Sequence, residues 1–472
     1  MKLTPRYLGL ALGAVLLAGC AGSPPPLPLP PAAQAAWSAN DAAIQTGNIR
    51  LDWWRDFGSA ELDRLVARAL AANYDLAVAD ANLRAARALA GEARRARGVQ
   101  GGASAGVQRL RESSQAQPPV FITPEPFGDQ TIATLGVDFA WEIDLAGGSA
   151  ATARAAGSDA EAMLWERRQT EAAVAAQVVR AWLDLARAEQ TAGLVRQRLA
   201  AMDRMLAIGA KRTRGGAALA ADFAPLERLR AETEGELPLF EHAARNAIRR
   251  IAVLTGADPV ALAARGLGNE PRALVTPAAL TVHDPRTLLR LRPDVQIAEA
   301  RLIAAFERAG ASRAALYPSL SLGAGTSLLG SPASLDEAGA LRFSIGPSIN
   351  WGIFNLGQVR ARISAADASS EAAAAQWQGS LLVALEEADG AIDAWRSIRS
   401  AAASAHKARH AAEQSAAIMR ARAHAGAASA FDLAQAEGDL LTAEFGVITA
   451  EANQREAWAN THLALGAGWG LR

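Results

Sequence analysis

Gly102, Ser104 and Gly106 fall at the Gly-x-Ser-x-Gly spacing that lifts a serine nucleophile onto a sharp strand-to-helix turn. Such a turn needs a buried apolar strand before it and a helix after it. Here the flanks are polar and a one-on, one-off pattern continues through Val107 and Gln108, so Ser104 reads as a serine on the polar face of a strand. His406 and His410 stand four apart with Glu413 close behind. On a helix that spacing puts two imidazoles on one face, which suits a metal if a third ligand follows. None stands at a suitable spacing, and a solvated helix face accounts for the pair. There is no phosphate-binding glycine loop and no cysteine cluster, since Cys20 is the single cysteine. The chain therefore reads as no enzyme, with no catalytic residues, no metal and no dissociable cofactor.

Cys20 offers a different chemistry. Lys2 and Arg6 precede the apolar run 8–19, the charge-then-apolar order of a secretory leader, and the run is too short for a membrane-spanning helix. Leu17-Ala18-Gly19-Cys20 resembles a bacterial lipobox, in which the cysteine becomes the mature N-terminus and carries diacylglycerol and an acyl chain such as palmitate. Ala21, rather than Asp, follows it and points to the outer membrane. The proline-rich stretch 23–31 then reads as a stiff tether. An ordinary leader with a chance cysteine is the plainer alternative.

The elements that position the remaining charges show in the hydrophobic period. In LRFSIGPSINWGIF (341–354), Leu341, Phe343, Ile345, Pro347, Ile349, Trp351 and Ile353 share one parity, with Arg342, Ser344, Ser348 and Asn350 on the other. LGVDFAWEI (135–143) likewise sets Leu135, Val137, Phe139, Trp141 and Ile143 against Asp138 and Glu142. SLSLGAGTSL (319–328) and, more weakly, VQGGASAGVQ (99–108) make four such segments. Each is close to the roughly 9–11 residues of a tilted strand that crosses a bilayer, apolar side to lipid and polar side to a lumen. Asp138, Glu142 and Asn350 are then the lumen-facing polar residues. The competing reading is a pair of soluble hairpins lying on helices.

Between the strands the period becomes helical. No proline interrupts residues 144–208, where Val178, Ala181, Leu185, Ala188, Ala192, Val195, Leu199, Met202 and Leu206 advance in alternating steps of three and four. That is a heptad seam. It returns at Leu433, Ala436, Leu440, Ala443, Val447 and Ala450. Basic and acidic residues balance at 48 each, so there is no electrostatic footprint for nucleic acid.

The chain is also two copies of one unit. Residues 74–96 align with 293–315 at an offset of 219, matching Asp75 to Asp294, Leu83 to Leu302, Gly91 to Gly310 and Arg94 to Arg313. Beyond the hairpins the offset is 210, matching Trp141 to Trp351, Gly147 to Gly357, Glu161 to Glu371, Gly216 to Gly426 and Asp222 to Asp432. The extra residues of the first copy fall in its inter-strand loop, roughly 111–130. Four membrane strands leave two unpaired edges, which hydrocarbon does not tolerate, and they cannot close a barrel alone. The chain is expected to oligomerise, each copy giving four staves.

From end to end the chain resembles the outer membrane factors of tripartite efflux pumps, the TolC-like channels, and among them the NodT-type lipoprotein branch. The residues that carry the resemblance are LAGC, WWRDF (53–57), VDFAWEIDLAGG (137–148), LRPDVQIAEARLIAAFERAGASRAALYPSLSL (291–322) and WGIFNLGQVRARI (351–363). One departure is that the first copy has VQGGAS where the second has YPSLSL, without the proline before the strand.

The resemblance implies a mixed α/β membrane protein with four transmembrane β-strands and long α-helices per subunit. Three subunits would complete a 12-stranded β-barrel continued by a 12-helix tunnel. It implies a passive exit duct for drugs or other small toxic compounds, a homotrimer in the outer membrane. Its partners would be a periplasmic membrane-fusion adaptor and an inner-membrane RND-type pump. Helix-hairpin tips would dock the adaptor, here Gly215, Gly216, Ala217 and Ala218, and Gly426, Ala427 and Ala428. Arg212, Arg214, Asp222, Arg420, Arg422 and Asp432 are the candidates for a periplasmic gate.

The expected division begins with a leader (1–19), a lipidated tether (20–58), first helices (59–98) and a first hairpin (99–143). A long helix pair (144–258) with its tip near 210–218 and a connector (259–283) follow. The second copy then has a helix (284–317), a hairpin (318–354), a helix pair (355–465) with its tip near 420–429, and a tail (466–472). The alternative from another class is a helical periplasmic lipoprotein scaffold without a pore.

Overall fold

The computed structural model describes residues 31, 37, 41–47, 49–111, 129–215, 219–267 and 275–466. The leader, Cys20, residues 23–30 of the tether, most of the first inter-strand loop, and Gly216, Ala217 and Ala218 lie outside the described residues. The described elements are β1 (Ile44–Thr46), α1 (Ala60–Ala72), α2 (Tyr74–Arg95), β2 (Gln100–Leu110), β3 (Gln130–Ile143) and α3 (Gly148–Arg214). They continue with α4 (Ala224–Leu254), α5 (Pro259–Arg265), β4 (Leu280–Val282), α6 (Pro285–Leu291) and α7 (Pro293–Ala314). The last are β5 (Ser319–Gly330), β6 (Leu341–Asn350), α8 (Leu356–His424) and α9 (Ala430–Ala464). The described residues within 83–163 and 298–377 form one compact unit, and those within 28–82, 164–297 and 378–472 form a second.

The first unit is built on an antiparallel sheet in the order β2-β3-β5-β6. Residues that face each other across a ladder share a face, so the register tests the alternation directly. Val137 stands opposite Ala103 and Thr326, and Thr326 opposite Phe343. Leu135 stands opposite Ala105 and Leu328, and Leu328 opposite Leu341. On the other face Asp138 stands opposite Gly102 and Gly325, and Gly325 opposite Ser344. Glu142 meets Ser321, which meets Ser348, and Asn350 meets Ser319. One face is apolar and one polar across all four strands.

The helices that enter and leave the sheet are tied to it by repeat-related bonds. Trp141 donates its indole N–H to the Arg97 carbonyl at 3.2 Å, and Trp351 donates to the Leu316 carbonyl at 3.1 Å. α7 packs on α3, where Arg154 grips both carboxylate oxygens of Glu307 at 2.8 Å and Arg308 pairs with Asp159.

The second unit holds the main apolar core. Trp53, Phe57, Leu62, Val66, Val178, Trp182, Leu185, Ile251, Leu280, Ile392, Trp395 and Trp458 are buried together. In the first seam Val178, Ala181, Leu185, Ala188, Ala192, Val195 and Met202 are buried, whereas in the second Ala436, Leu440 and Val447 are. The short helices begin where capping chemistry dictates. Ser59 accepts from the Leu62 N–H, while Asp258 and Asp284 each accept two backbone N–H bonds just ahead of Pro259 and Pro285. A second, parallel sheet joins β1 to β4 through three residue pairs, Ile44 with Leu280, Gln45 with Thr281 and Thr46 with Val282. Three-residue strands are too short to show alternation, which hid this sheet from the sequence.

Candidate functional site

Two regions carry the candidate residues, the four-stranded sheet and the helix-hairpin tips. On the sheet, Asp138, Glu142 and Asn350 share the polar face with Arg342, since Arg342 stands opposite Ser327, which stands opposite Gly136 beside Ser104. Ser104 sits within β2 and is not followed by a helix, so the hydrolase-like spacing forms no nucleophile elbow. The opposite face is bare in a single chain, with Phe343 81% exposed. Leaving such an apolar face in water is unfavourable, and moving it into hydrocarbon gains about 25 cal/mol per Å² covered. Within the chain, β2 and β6 are each paired on one side only. Among the described residues no helix is long and apolar enough to cross a membrane.

At the tips the structure assigns the repeat-related aspartates a local task. Asp432 accepts from the Ser429 N–H at 3.1 Å and from the Ser429 hydroxyl at 2.8 Å, while the Ser429 hydroxyl accepts from the Asp432 N–H at 3.1 Å. This is a capping box at the start of α9. The Ser429 hydroxyl and N–H hold the Asp432 carboxyl below its ordinary range. Asp222 does half of this at the first tip, accepting from the Leu219 N–H at 2.9 Å. Gly426 sits at φ 73°, the left-handed conformation that ends α8. Ala427 and Ala428 follow it into the turn and Gly215 closes α3; Ala427 and Gly215 are exposed and Ala428 is half-buried. At Gly209 a Cβ would stand 2.6 Å from the Phe223 ring, so a side chain there would have to displace that ring.

The arginines divide. Arg212 donates to the Ala423 and His424 carbonyls at 3.4 Å, linking the end of α3 to the end of α8. Arg422 donates to the Ala427 carbonyl at 3.4 Å. Arg214 is exposed. Arg420 instead grips Glu437 through both oxygens, at 2.5 and 2.9 Å, and Glu437 is only 2% exposed. Arg198 reaches the same carboxylate at 3.4 Å and Glu444 at 2.7 Å. Sequence reasoning did not single out Glu437, although a carboxylate beside Ala436 in an apolar seam was the available signal.

Two further buried groups were missed. Arg292, 5% exposed, donates to Asp294 and Glu387 and to the Ala384 and Ala464 carbonyls, tying the start of α7 to α8 and α9. His462 lies against Trp458, 3.7 Å between ring centroids, and stacks on Trp53. Burial pushes it down to about 4. His406 pairs with Glu451 at 3.3 Å and His410 with Gln414, and among the described residues no group of three or more ligands could hold a metal.

A chain that offers four amphipathic strands with two open edges, and two long helical hairpins, is by class a subunit of a membrane channel completed by assembly. The description "outer membrane efflux protein" matches residues 65–257 and 285–467, and the chain belongs to that family. It is 27% identical over 470 residues to the pyoverdine export outer membrane protein OpmQ of Pseudomonas aeruginosa, covering 98% of this chain and 97% of that one. It is 28% identical over 402 residues to the toluene efflux pump outer membrane protein TtgF of Pseudomonas putida, covering 82% and 81%. Its fold superposes on the outer-membrane channel OprN with a TM-score of 0.84 at 28% identity, over 94% of this chain and 99% of that one. The protein is an outer-membrane efflux channel of the TolC-like fold, not an enzyme.

Proposed function

We propose that three copies of this chain form a passive exit duct, anchored in the outer membrane by lipid on Cys20 and coupled through a periplasmic adaptor to an inner-membrane pump of the RND type. The observation that carries this reading is the sheet, with four membrane-length strands, one apolar face, one polar face and an open edge on each side. Three such sheets make a ring of about 12 strands, wide enough for a water-filled lumen. Asp138, Glu142 and Asn350 then line water.

The relatives' names refer to pyoverdine and toluene, cargoes of unlike chemistry served by one fold. A wide polar lumen selects weakly, so drugs or other small toxic compounds suit this duct and the pump does most of the choosing. The tips at Gly215–Ala218 and Gly426–Ala428 dock the adaptor, because small residues allow a partner hairpin close backbone approach. Arg212, Arg214, Asp222, Arg422 and Asp432 hold the tips together in the closed state, while Arg420, the sixth candidate, is engaged with Glu437.

Native mass spectrometry of the detergent-extracted protein tests the reading. A threefold mass with each copy beginning at a diacylglyceryl, acylated Cys20 supports it. A monomer that is soluble once its lipid is removed favours a periplasmic scaffold. Asp432→Ala is expected to raise the conductance of the closed channel. An unchanged current confines Asp432 to capping α9.

A further inference from the structure

Arg109 and Arg111 put charge on the face of the sheet that is otherwise apolar. The ladder sets Ala103 opposite Val137, Ala105 opposite Leu135, Val107 opposite Ala133 and Arg109 opposite Thr131, so Arg109 shares their face. Arg111 follows at the same parity, just past Leu110, where β2 ends. The Asp129 carboxylate joins the two, accepting from Arg109 Nη2 at 2.9 Å and from Arg111 Nε at 2.5 Å. Both of its oxygens are in use, yet two guanidiniums on one carboxylate leave one positive charge in excess. The two arginine side chains are 73% and 80% exposed, next to exposed Val107.

Strand geometry places this cluster at one border of the apolar band. β2 begins at Gln100, opposite Ala140, shortly after α2 ends at Arg95, and α3 begins just past β3 at Gly148. The helices therefore meet the sheet at its Trp141 end, and Arg109 lies at the other. Thr131, the partner of Arg109, is ten residues along β3 from Trp141. At about 3.3 Å per residue and a tilt of about 40°, that is about 25 Å along a membrane normal, the height of the apolar band of such a barrel. With the helices in the periplasm, Arg109 and Arg111 stand where hydrocarbon gives way to the headgroups of the outer leaflet.

The second hairpin differs at this height. The positions related to Arg109 and Thr131 by the repeat, 219 and 210 residues on, are Leu328 and Leu341, which also stand opposite each other. One hairpin thus ends in a pair of leucines and the other in arginines. Leucines suit hydrocarbon, whereas an arginine on a lipid-facing surface needs a partner that brings negative charge to that depth. Asp129 supplies one such charge. The excess is left for the membrane, and long arginine side chains can reach a headgroup from the edge of the band.

We propose that Arg109 and Arg111 dock the phosphate of an anionic glycolipid of the outer leaflet, one lipid to each copy of the chain. This rests on the reading that the apolar face of the sheet meets lipid. Each guanidinium fork matches two phosphate oxygens, and such charge-assisted bonds are stronger than neutral ones. Asp129 positions the forks, holding both at one spot on the outside of the sheet. An exposed pair of arginines has little hold on a free anion in water. A lipid is already confined to that height, with its acyl chains running down the apolar face past Val107 and Leu135, so its phosphate meets the cluster at high local concentration.

The test uses the full-length, detergent-extracted protein and two probes, lipid A with its sugar phosphates and the same lipid dephosphorylated. Native mass spectrometry across a titration reads the number bound per assembly and the apparent Kd. The wild-type protein should bind the phosphorylated lipid more tightly, a comparison that needs no variant. Arg109→Gln/Arg111→Gln should weaken that binding about 25-fold, at about fivefold for each arginine near an anionic surface, and leave the dephosphorylated lipid unaffected. Arg342→Gln, which removes an arginine from the polar face at the same end of the sheet, should bind both lipids as the wild type does. Equal binding of the two lipids by the wild type overturns the proposal, as does an equal loss in Arg342→Gln. Displacement of the lipid by inorganic phosphate overturns it too, since that marks a site for soluble anions. Trimers that bind neither lipid selectively leave the duct standing without this site. A soluble monomer removes the duct and the lipid site together.

Discussion

His462 and Glu437 are the residues where burial and charge conflict most sharply. His462 is neutral because its aromatic surroundings desolvate the imidazolium, with a pKa of about 4 against 6.5 when unfolded. The unfolded chain therefore binds the extra proton first, and stability falls as pH drops from about 6.5 toward 4. The loss approaches about 2 kcal/mol by pH 5, at 1.36 kcal/mol per pH unit. The melting temperature should fall between pH 7 and pH 5, and His462→Gln should shrink that fall, so an equal fall in the variant would show that other groups dominate. Glu437 presents the opposite case, a buried carboxylate paired with both Arg420 and Arg198. Arg420→Met should cost about 3 kcal/mol, and adding Glu437→Leu should recover most of it, because the penalty lies in a buried carboxylate left with only the longer Arg198 contact. A double variant as unstable as the single one would contradict this account of the cluster.

At the scale of elements, the hairpin tips and strands depend on local chemistry. Ser429→Ala removes the hydroxyl that accepts from Asp432 and should cost about 1 kcal/mol at the start of α9. Faster amide exchange confined to residues near 430–433 would register it, and a spread along α9 would point to a wider role. The two faces of β6 make a sharper contrast. Phe343→Lys places a charge on the apolar face, costing about 2–4 kcal/mol near the bilayer midplane, whereas Ser344→Lys places it on the polar face at little cost. Outer-membrane fractionation should recover the second variant at wild-type levels and much less of the first. Equal recovery would argue against lipid on the Phe343 side.

For the whole molecule, the polar face of the sheet sets the field in the lumen. Asp138, Glu142 and Arg342 leave it acidic on balance, so the open channel should prefer cations modestly. Asp138→Asn with Glu142→Gln should move the reversal potential in a salt gradient toward anions. An unmoved potential would place the selective charges elsewhere along the duct.

The strands were legible because a sheet with one face in lipid must alternate, and residues 135–143 and 341–350 do so, although the alternation that runs on through Trp351 and Ile353 lies beyond the end of β6. The long helices were legible from a heptad seam that no proline interrupts, and the repeat from fixed offsets between matching residues. These features are local or periodic, and a linear pattern is enough to encode them. The burial of Glu437 among arginines, the knot at Arg292, the stacking of His462 on Trp53 and the pairing of β1 with β4 were not legible. Each depends on groups brought together from distant parts of the chain, and a residue type does not reveal its partners. The sequence by itself determined the fold class, the repeat, the two-faced strands and the absence of a catalytic constellation. Only the tertiary structure decided which charges are spent on holding the chain together and which surfaces are left uncovered, because burial and pairing are properties of packed neighbours.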